Sequence, residues 1–194
     1  PYVDVFLPSL DEMLFMLRRP TYDRLLVEYG GNLLAAAAPD LLADLTGEML
    51  DLGAKIAGLK LGHRGFYLRT AGRVALAAAG RAAPADPDAW ADRQFWAPCF
   101  QVKVVGTTGA GDSTIAGFLA GLLAGLLPEE TLTAASAVGA CNVEAADALG
   151  GIRPWAETLG RVAAGWPRHT LEVDAPGWEY DSRTGLWSAA PHHS

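Results

Sequence analysis

Cysteine is scarce in this chain. Cys99 and Cys141 are its only two, far apart and without paired histidines. That fits neither a disulfide framework nor a zinc cluster, and a reducing cytoplasm is the default compartment. Positive charge is also short: 15 Lys and Arg stand against 22 Asp and Glu, for a net charge of −7. With an isoelectric point near 5.0, the overall field repels nucleic acid and anionic lipid, so neither is an expected partner. Long apolar runs are missing too. Mean hydropathy is +0.16, but Gly, Pro or charge interrupts every apolar stretch well short of the roughly 20 residues that span a bilayer. His192 and His193 form a pair with no third donor and read as a tail rather than as metal ligands.

What is present is a core-forming α/β pattern. At 194 residues with 51% hydrophobic side chains, the chain suits one domain, or a piece of something larger. It opens on Pro1 with "PYVDVFLPS", a strand-like run rather than a signal peptide, and reads as cut from a longer parent. "YVDVFL" predicts a strand ended by Pro8, and "SLDEMLFMLRR" a helix with Leu10, Met13, Leu14 and Leu17 on one face. The text from Pro20 to Pro39 is mixed. "DLLADLTGEMLDLG" then predicts an amphipathic helix closed by Gly53. "AKIAGLKLG" predicts a buried strand, and "GFYLRT" with "RVALAA" a hairpin. Ala78 to Asp92 reads as a surface loop, and "FQVKVVG" as a further strand. Ser113–Leu127, Glu129–Ala148 and "PWAETLGRVAAG" predict three helices, and "GWEYDSRTGLW" a small hairpin. This alternation implies a three-layer α-β-α domain with a mostly parallel sheet. The expected division is a nucleotide-binding and catalytic part over 1–165 and a C-terminal extension over 166–194.

The stretch with chemical content is "VVGTTGAGDSTIAGFLAGLLAGL". Gly106, Gly109 and Gly111 allow positive φ and close approach of the backbone to a ligand. A helix begins immediately after them, with amides that lack internal partners. The N–H groups of Gly109, Ala110, Gly111 and Asp112 therefore make a candidate anion hole, backed by the helix dipole. Asp112 is costly beside a phosphate unless chemistry uses it. A carboxylate there can orient a hydroxyl and accept its proton during phosphoryl transfer, or it can simply cap the helix. Two other phosphate motifs do not match. No lysine follows the glycines as a Walker loop requires, and the glycine order differs from the dinucleotide fingerprint, which counts against an NAD-dependent oxidoreductase.

"TTGAGD" opening a helix resembles the second signature of the ribokinase-like sugar kinases, the phosphofructokinase-B family. The family's motif is D-T-x-G-A-G-D, so the resemblance implies Asp112 as catalytic base and Gly109, Ala110 and Gly111 as anion hole. Gly106 stands where the family usually has its first Asp. That Asp helps bind an activating monovalent cation in several members, so its replacement counts against potassium activation. "SLDE" resembles the family's N-x-x-E, which implies that Glu12 organises magnesium-bound water beside the nucleotide phosphates, with Ser9 in the Asn position; the same letters also spell a capping box. "LKLGHRG" is similar to the family's T-L-G-x-x-G, with Lys60 in place of Thr and with Gly62 and Gly65 in register. Lys60 could pair with a nucleotide phosphate or snorkel from a strand end. "AASAVGACNVEAADALGG" resembles the helix lining the adenine pocket, which puts Ser136 beside the nucleotide together with Thr108. Its small residues, like Gly117, Gly121 and Gly125, equally suit close helix packing.

The resemblance spans Tyr2 to Gly165, the C-terminal half of such a kinase. It implies ATP and Mg2+ as cofactors, a small sugar-like substrate bound largely by the other half, and a possible homodimer through a lid not present in this chain. The expected activity is phosphorylation of a hydroxyl on a sugar or similar molecule. The alternative is a catalytically silent nucleotide-binding module.

Overall fold

The computed structural model describes residues 2–190, so the pair His192 and His193 lies outside the described residues. Six strands form one sheet in the order β1-β2-β3-β4-β6-β5. They are β1 (Val5–Phe6), β2 (Ile56–Lys60), β3 (Phe66–Thr70), β4 (Gln94–Ala97), β5 (Trp178–Asp181) and β6 (Leu186–Ala189). Helices α1 (Leu10–Leu17), α2 (Arg19–Glu28), α3 (Pro39–Asp51), α4 (Arg73–Ala77), α5 (Pro87–Trp90), α6 (Ala110–Leu123), α7 (Pro128–Asn142) and α8 (Trp155–Ala163) complete the regular structure.

Strand periodicity sorts the core into two layers. Side chains alternate between faces along a strand, and here Ala57, Leu59, Tyr67 and Trp96 join one cluster with Leu10, Met13, Leu14, Leu42, Leu45 and Met49 of α1 and α3. Their neighbours Ile56, Phe66, Leu68, Phe95 and Ala97 join the other cluster, with Phe118, Leu122 and Leu132 of α6 and α7. The result is the three-layer α-β-α arrangement expected. Small residues set the spacing of the second layer. A Cβ added at Gly117 would meet the Ala135 Cα at 3.0 Å, and one at Gly121 would meet the Thr131 Cα at 3.2 Å, so α6 and α7 lie as close as backbones allow.

The sheet is not mostly parallel. Only β1–β2 is parallel; the pairings β2–β3, β3–β4, β4–β6 and β5–β6 are antiparallel. A single tight turn, Gly62–Arg64, joins β2 to β3, and so short a connection permits only antiparallel pairing. The predicted partner of "GFYLRT" is also corrected: "RVALAA" is the short helix α4, with Val74 exposed and Leu76 buried. Its alanine content favours helix, and a run this short has no decisive period. The strand expected in "FQVKVVG" lies earlier, at Gln94–Ala97, where Pro98 stops it. Beyond that point Phe100 only bridges to Arg168, and Val104 and Val105 are exposed.

Two loops hold structure that the letters hid. Pro20 sits in the first turn of α2, where a missing amide costs nothing. In 78–92, Asp86 caps α5 and Trp90 is fully buried, donating Nε1–H to the Leu126 carbonyl at 3.2 Å. Helix α7 ends at Asn142 rather than Ala148. The predicted C-terminal hairpin is present as β5–β6 and extends the main sheet through β4, with Trp187 and Trp178 packed on the first core layer. Among the described residues no helix is long and apolar enough to cross a membrane, and Cys99 and Cys141 are free.

Candidate active site

Three chain segments meet at the C-terminal end of β1 and β2. Strand β1 leads through Pro8 into α1, whose first turn carries Glu12. Strand β2 ends at Lys60, and its alternation puts Lys60 on the same face as Ile56, the face that α6 and α7 cover. Lys60 N–H donates to the Pro8 carbonyl at 2.9 Å, and Ser9 and Lys60 form a parallel bridge, so the two strand ends are fixed to each other. Helix α6 then brings Asp112 from across the sheet. Glu12, Lys60 and Asp112 line one cavity of about 510 Å³, walled by Val5, Met16, Ile115 and Leu119. Asp112, Ile115 and Leu119 are spaced i, i+3, i+7, which puts them on one face of α6.

The glycine turn ahead of α6 has a defined geometry. Gly109 is the N-cap in the left-handed region at φ 76°, with no side-chain cap. A Cβ there would also meet the Ala148 Cβ at 2.9 Å, so both conformation and space require glycine. Asp112 is therefore the third helical residue and not the cap, which removes the capping alternative. Ala110 N–H already donates to the Thr107 carbonyl at 3.2 Å, a correction to the four-amide anion hole. Among the described residues the N–H groups of Gly109, Gly111 and Asp112 have no protein acceptor. Gly111 touches the lysine: a Cβ built on it would meet Lys60 Nζ at 3.2 Å.

Ser9 and Glu12 form the capping box. Glu12 N–H donates to Ser9 Oγ at 3.2 Å, and Ser9 N–H donates to Glu12 Oε2 at 2.6 Å. The Ser9 backbone amide, then the Ser9 hydroxyl and more weakly the Lys60 ammonium, hold the Glu12 carboxyl below the usual glutamate range, against a small opposing effect of burial. Capping occupies one carboxylate oxygen; Oε1 accepts no hydrogen bond among the described residues. No group of three or more His, Cys, Asp or Glu side chains could enclose a metal among them either. Such a donor set suits a hydrated Mg2+ brought in on phosphates, which needs only one or two carboxylates, rather than a protein-caged ion.

The remaining sequence candidates fall outside this cavity. Gly62 and Gly65 shape the β2–β3 turn at φ 52° and 96°, and a Cβ at Gly65 would overlap the Ala97 carbonyl. Thr108 is exposed in the turn before α6. Ser136 is buried in α7 and its hydroxyl donates to the Leu132 carbonyl at 2.9 Å, so it offers a nucleotide nothing. Gly106 packs against the segment after α7, where a Cβ would meet the Ala145 and Ala146 carbonyl oxygens at 2.9 and 3.0 Å. An aspartate at 106 would displace that segment. Sequence reasoning missed the apolar wall of Ile115, Leu119 and Met16. The i, i+3, i+7 spacing from Asp112 was the available signal.

The structure is a three-layer α/β domain in which a helix start with open amides lies beside an acid and a lysine. The family is given by comparison: residues 1–153 match the pfkB family carbohydrate kinase model, and the chain belongs to that family. No curated protein matches it. Among solved structures it resembles ribokinase from Thermotoga maritima at 22% identity and TM-score 0.55, over 84% of this chain and 43% of that one. It is also similar to a putative ribokinase II from E. coli in complex with ATP and Mg2+, at 21% identity and TM-score 0.56, over 83% and 39%. Phosphofructokinase-2 from Escherichia coli in complex with potassium gives 17% and 0.56, over 82% and 40%. The chain thus spans about two-fifths of the length of these relatives, and at such identities the likeness shows the ribokinase-like fold.

Proposed function

We propose that this chain carries the phosphoryl-transfer end of an ATP-dependent kinase that phosphorylates a hydroxyl of a sugar or sugar-like small molecule. The observation that carries the reading is the convergence of Glu12, Lys60 and Asp112 on one cavity at the open start of α6. Asp112 orients the acceptor hydroxyl and takes its proton as the oxygen–phosphorus bond forms and the bond to the departing nucleoside diphosphate breaks. A positioned base of this kind contributes about 10²–10⁴ in rate. The Gly109, Gly111 and Asp112 amides face the charge on the transferring group, and each such donor is worth about 10²–10³. Lys60 brings a positive charge to the phosphates. Glu12, with one oxygen uncommitted, would hold Mg2+ through water; that ion supplies charge neutralisation on the phosphates when bound. Thr108, Gly62 and Gly65 lie farther out and bear on the nucleotide through the shape of their turns.

The test is Asp112→Asn in the complete protein, assayed against ATP and a panel of sugars and nucleosides. We expect turnover to fall at least about 10²-fold, with ATP affinity changed less than about twofold. Normal turnover in that variant contradicts the reading. A second reading, a silent nucleotide-binding module, is favoured by Gly106 and by the engaged Ala110 amide. ATP binding by calorimetry without transfer to any panel member would select it. The same panel identifies the acceptor.

A further inference from the structure

We infer that Lys60 is a catalytic residue whose ammonium contacts the phosphoryl group in transit rather than the nucleotide that is left behind, an inference that rests on the kinase reading above. Three observations place it there. First, Lys60 is half-buried yet forms no ion pair or side-chain hydrogen bond among the described residues, whereas Lys55, five positions earlier, is tied to Asp4 and to the Gly53 carbonyl. The Lys60 charge acts on Glu12 only weakly and at a distance, so its three N–H donors are left for an anion that arrives later. Second, its Nζ lies at the start of α6, 3.2 Å from where a Cβ on Gly111 would stand, and the Gly111 and Asp112 amides of that helix start have no protein acceptor among the described residues. On this inference an oxygen accepting from those amides is also contacted by the lysine. Third, Lys60 shares the cavity with both acids, Glu12 and Asp112. Two carboxylates and one ammonium leave the cavity with a net negative charge before any phosphate enters.

This arrangement separates a catalytic role from a binding role. If Asp112 receives the hydroxyl proton, the atom under attack lies beside Asp112, and so does the fixed positive charge over Gly111. Lys60 donates hydrogen bonds to the equatorial oxygens of that phosphoryl group; no proton leaves the ammonium. Charge that shifts toward the leaving oxygen and the migrating group then meets a donor already in position, with no reorganisation at the moment of transfer. A lysine acting on the α- or β-phosphate would instead bind product and substrate equally and raise affinity without raising kcat. A side chain at Gly111 would crowd the ammonium, since a Cβ there would come within 3.2 Å of Nζ.

The experiment uses the complete protein with Lys60→Met, which keeps the aliphatic contact, and Lys60→Ala, each checked for an unchanged melting temperature. Turnover is measured together with calorimetric affinities for ADP and for ADP with beryllium fluoride, a mimic of the transferring group. We expect kcat to fall about 10²–10³-fold in both variants, ADP affinity to stay within about twofold, and affinity for the fluoride complex to drop with kcat. Added propylamine should restore part of the Lys60→Ala turnover in a saturable way, which a purely structural lysine would not allow. Unchanged kcat, or an ADP affinity that falls as far as turnover does, would overturn the inference. Either result alongside an inactive Asp112→Asn would leave the kinase reading standing, whereas an active Asp112→Asn would remove the ground for both.

Discussion

The starts of α1 and α6 border the same cavity and solve the same problem in opposite ways. At α1 a side-chain cap answers two of the amides: Ser9 and Glu12 exchange backbone hydrogen bonds, and among the described residues only the Leu10 and Asp11 amides are left without a protein acceptor. At α6 the N-cap is a left-handed glycine with no side chain to offer, and the Gly109, Gly111 and Asp112 amides are left open. Orphan amides at a helix start are ordinarily capped or hydrated. On the proposed reading, a start that lacks a side-chain cap, borders a cavity at Asp112 and has beside it a lysine with no ion pair among the described residues receives the phosphoryl anion. The contrast also divides the two acids. Glu12 caps α1 with one oxygen and lines the cavity with its side chain, while Asp112 makes no side-chain hydrogen bond or ion pair among the described residues, which leaves it free for the proposed proton transfer.

Exchanging the roles of these two helix starts gives the sharpest predictions. The largest effect belongs to the glycine turn. Gly109→Ala forces a Cβ into a left-handed residue and against Ala148, and should lower stability by at least about 1–2 kcal/mol in urea titration and reduce turnover with it. Glu12→Gln should cost roughly 10–100-fold in turnover, as is usual for residues that act on a metal through water, and should raise the Mg2+ concentration needed for half-maximal rate. Ser9→Ala removes the cap hydroxyl and should cost about 1 kcal/mol of stability; kcat should change far less than in Asp112→Asn. A loss of turnover equal to that of Asp112→Asn would erase the distinction between the closed start and the open one.

A smaller effect concerns acid stability. Arg161 pairs with both Glu144 oxygens, at 2.7 and 2.8 Å, across the segment that packs on the glycine turn. The Arg161 hydrogen bonds hold the Glu144 carboxyl below the usual glutamate range. A carboxylate with a lowered folded value stabilises the protein fully above the ordinary glutamate range. The contribution is lost as pH falls through the lowered value. Melting curves of wild type and Glu144→Gln should therefore differ near neutrality, by under about 1 kcal/mol, and converge in acid. Smallest of all, Ser136→Ala should leave nucleotide affinity unchanged, since that hydroxyl is spent inside α7.

The features legible in sequence were the local ones. "TTGAGD" declares a turn and a helix start within six residues, because positive φ and orphan amides are properties of consecutive backbone units. The capping box in "SLDE" and the hairpin in "GWEYDSRTGLW" are similarly short-range. What could not be read was pairing across distance. The Lys60–Gly111 contact joins positions on different elements, and no periodicity reports it. For the same reason "RVALAA" passed for a strand and "QFWA" went unnoticed: strand identity depends on a partner, and β3 finds its partner at β4, past a loop that buries Trp90. Ser136 shows the reverse error, since a family position was matched but its hydroxyl turns to its own helix.

The most direct measurement is amide NMR of the complete protein titrated with ADP, beryllium fluoride and Mg2+. The open start of α6 should respond, with the Gly109, Gly111 and Asp112 amides moving as the phosphoryl mimic binds. The amides of Ser9 and Glu12, already held by each other's side chains, should move much less. Large shifts at α1 with none at Gly111 and Asp112 would contradict the account.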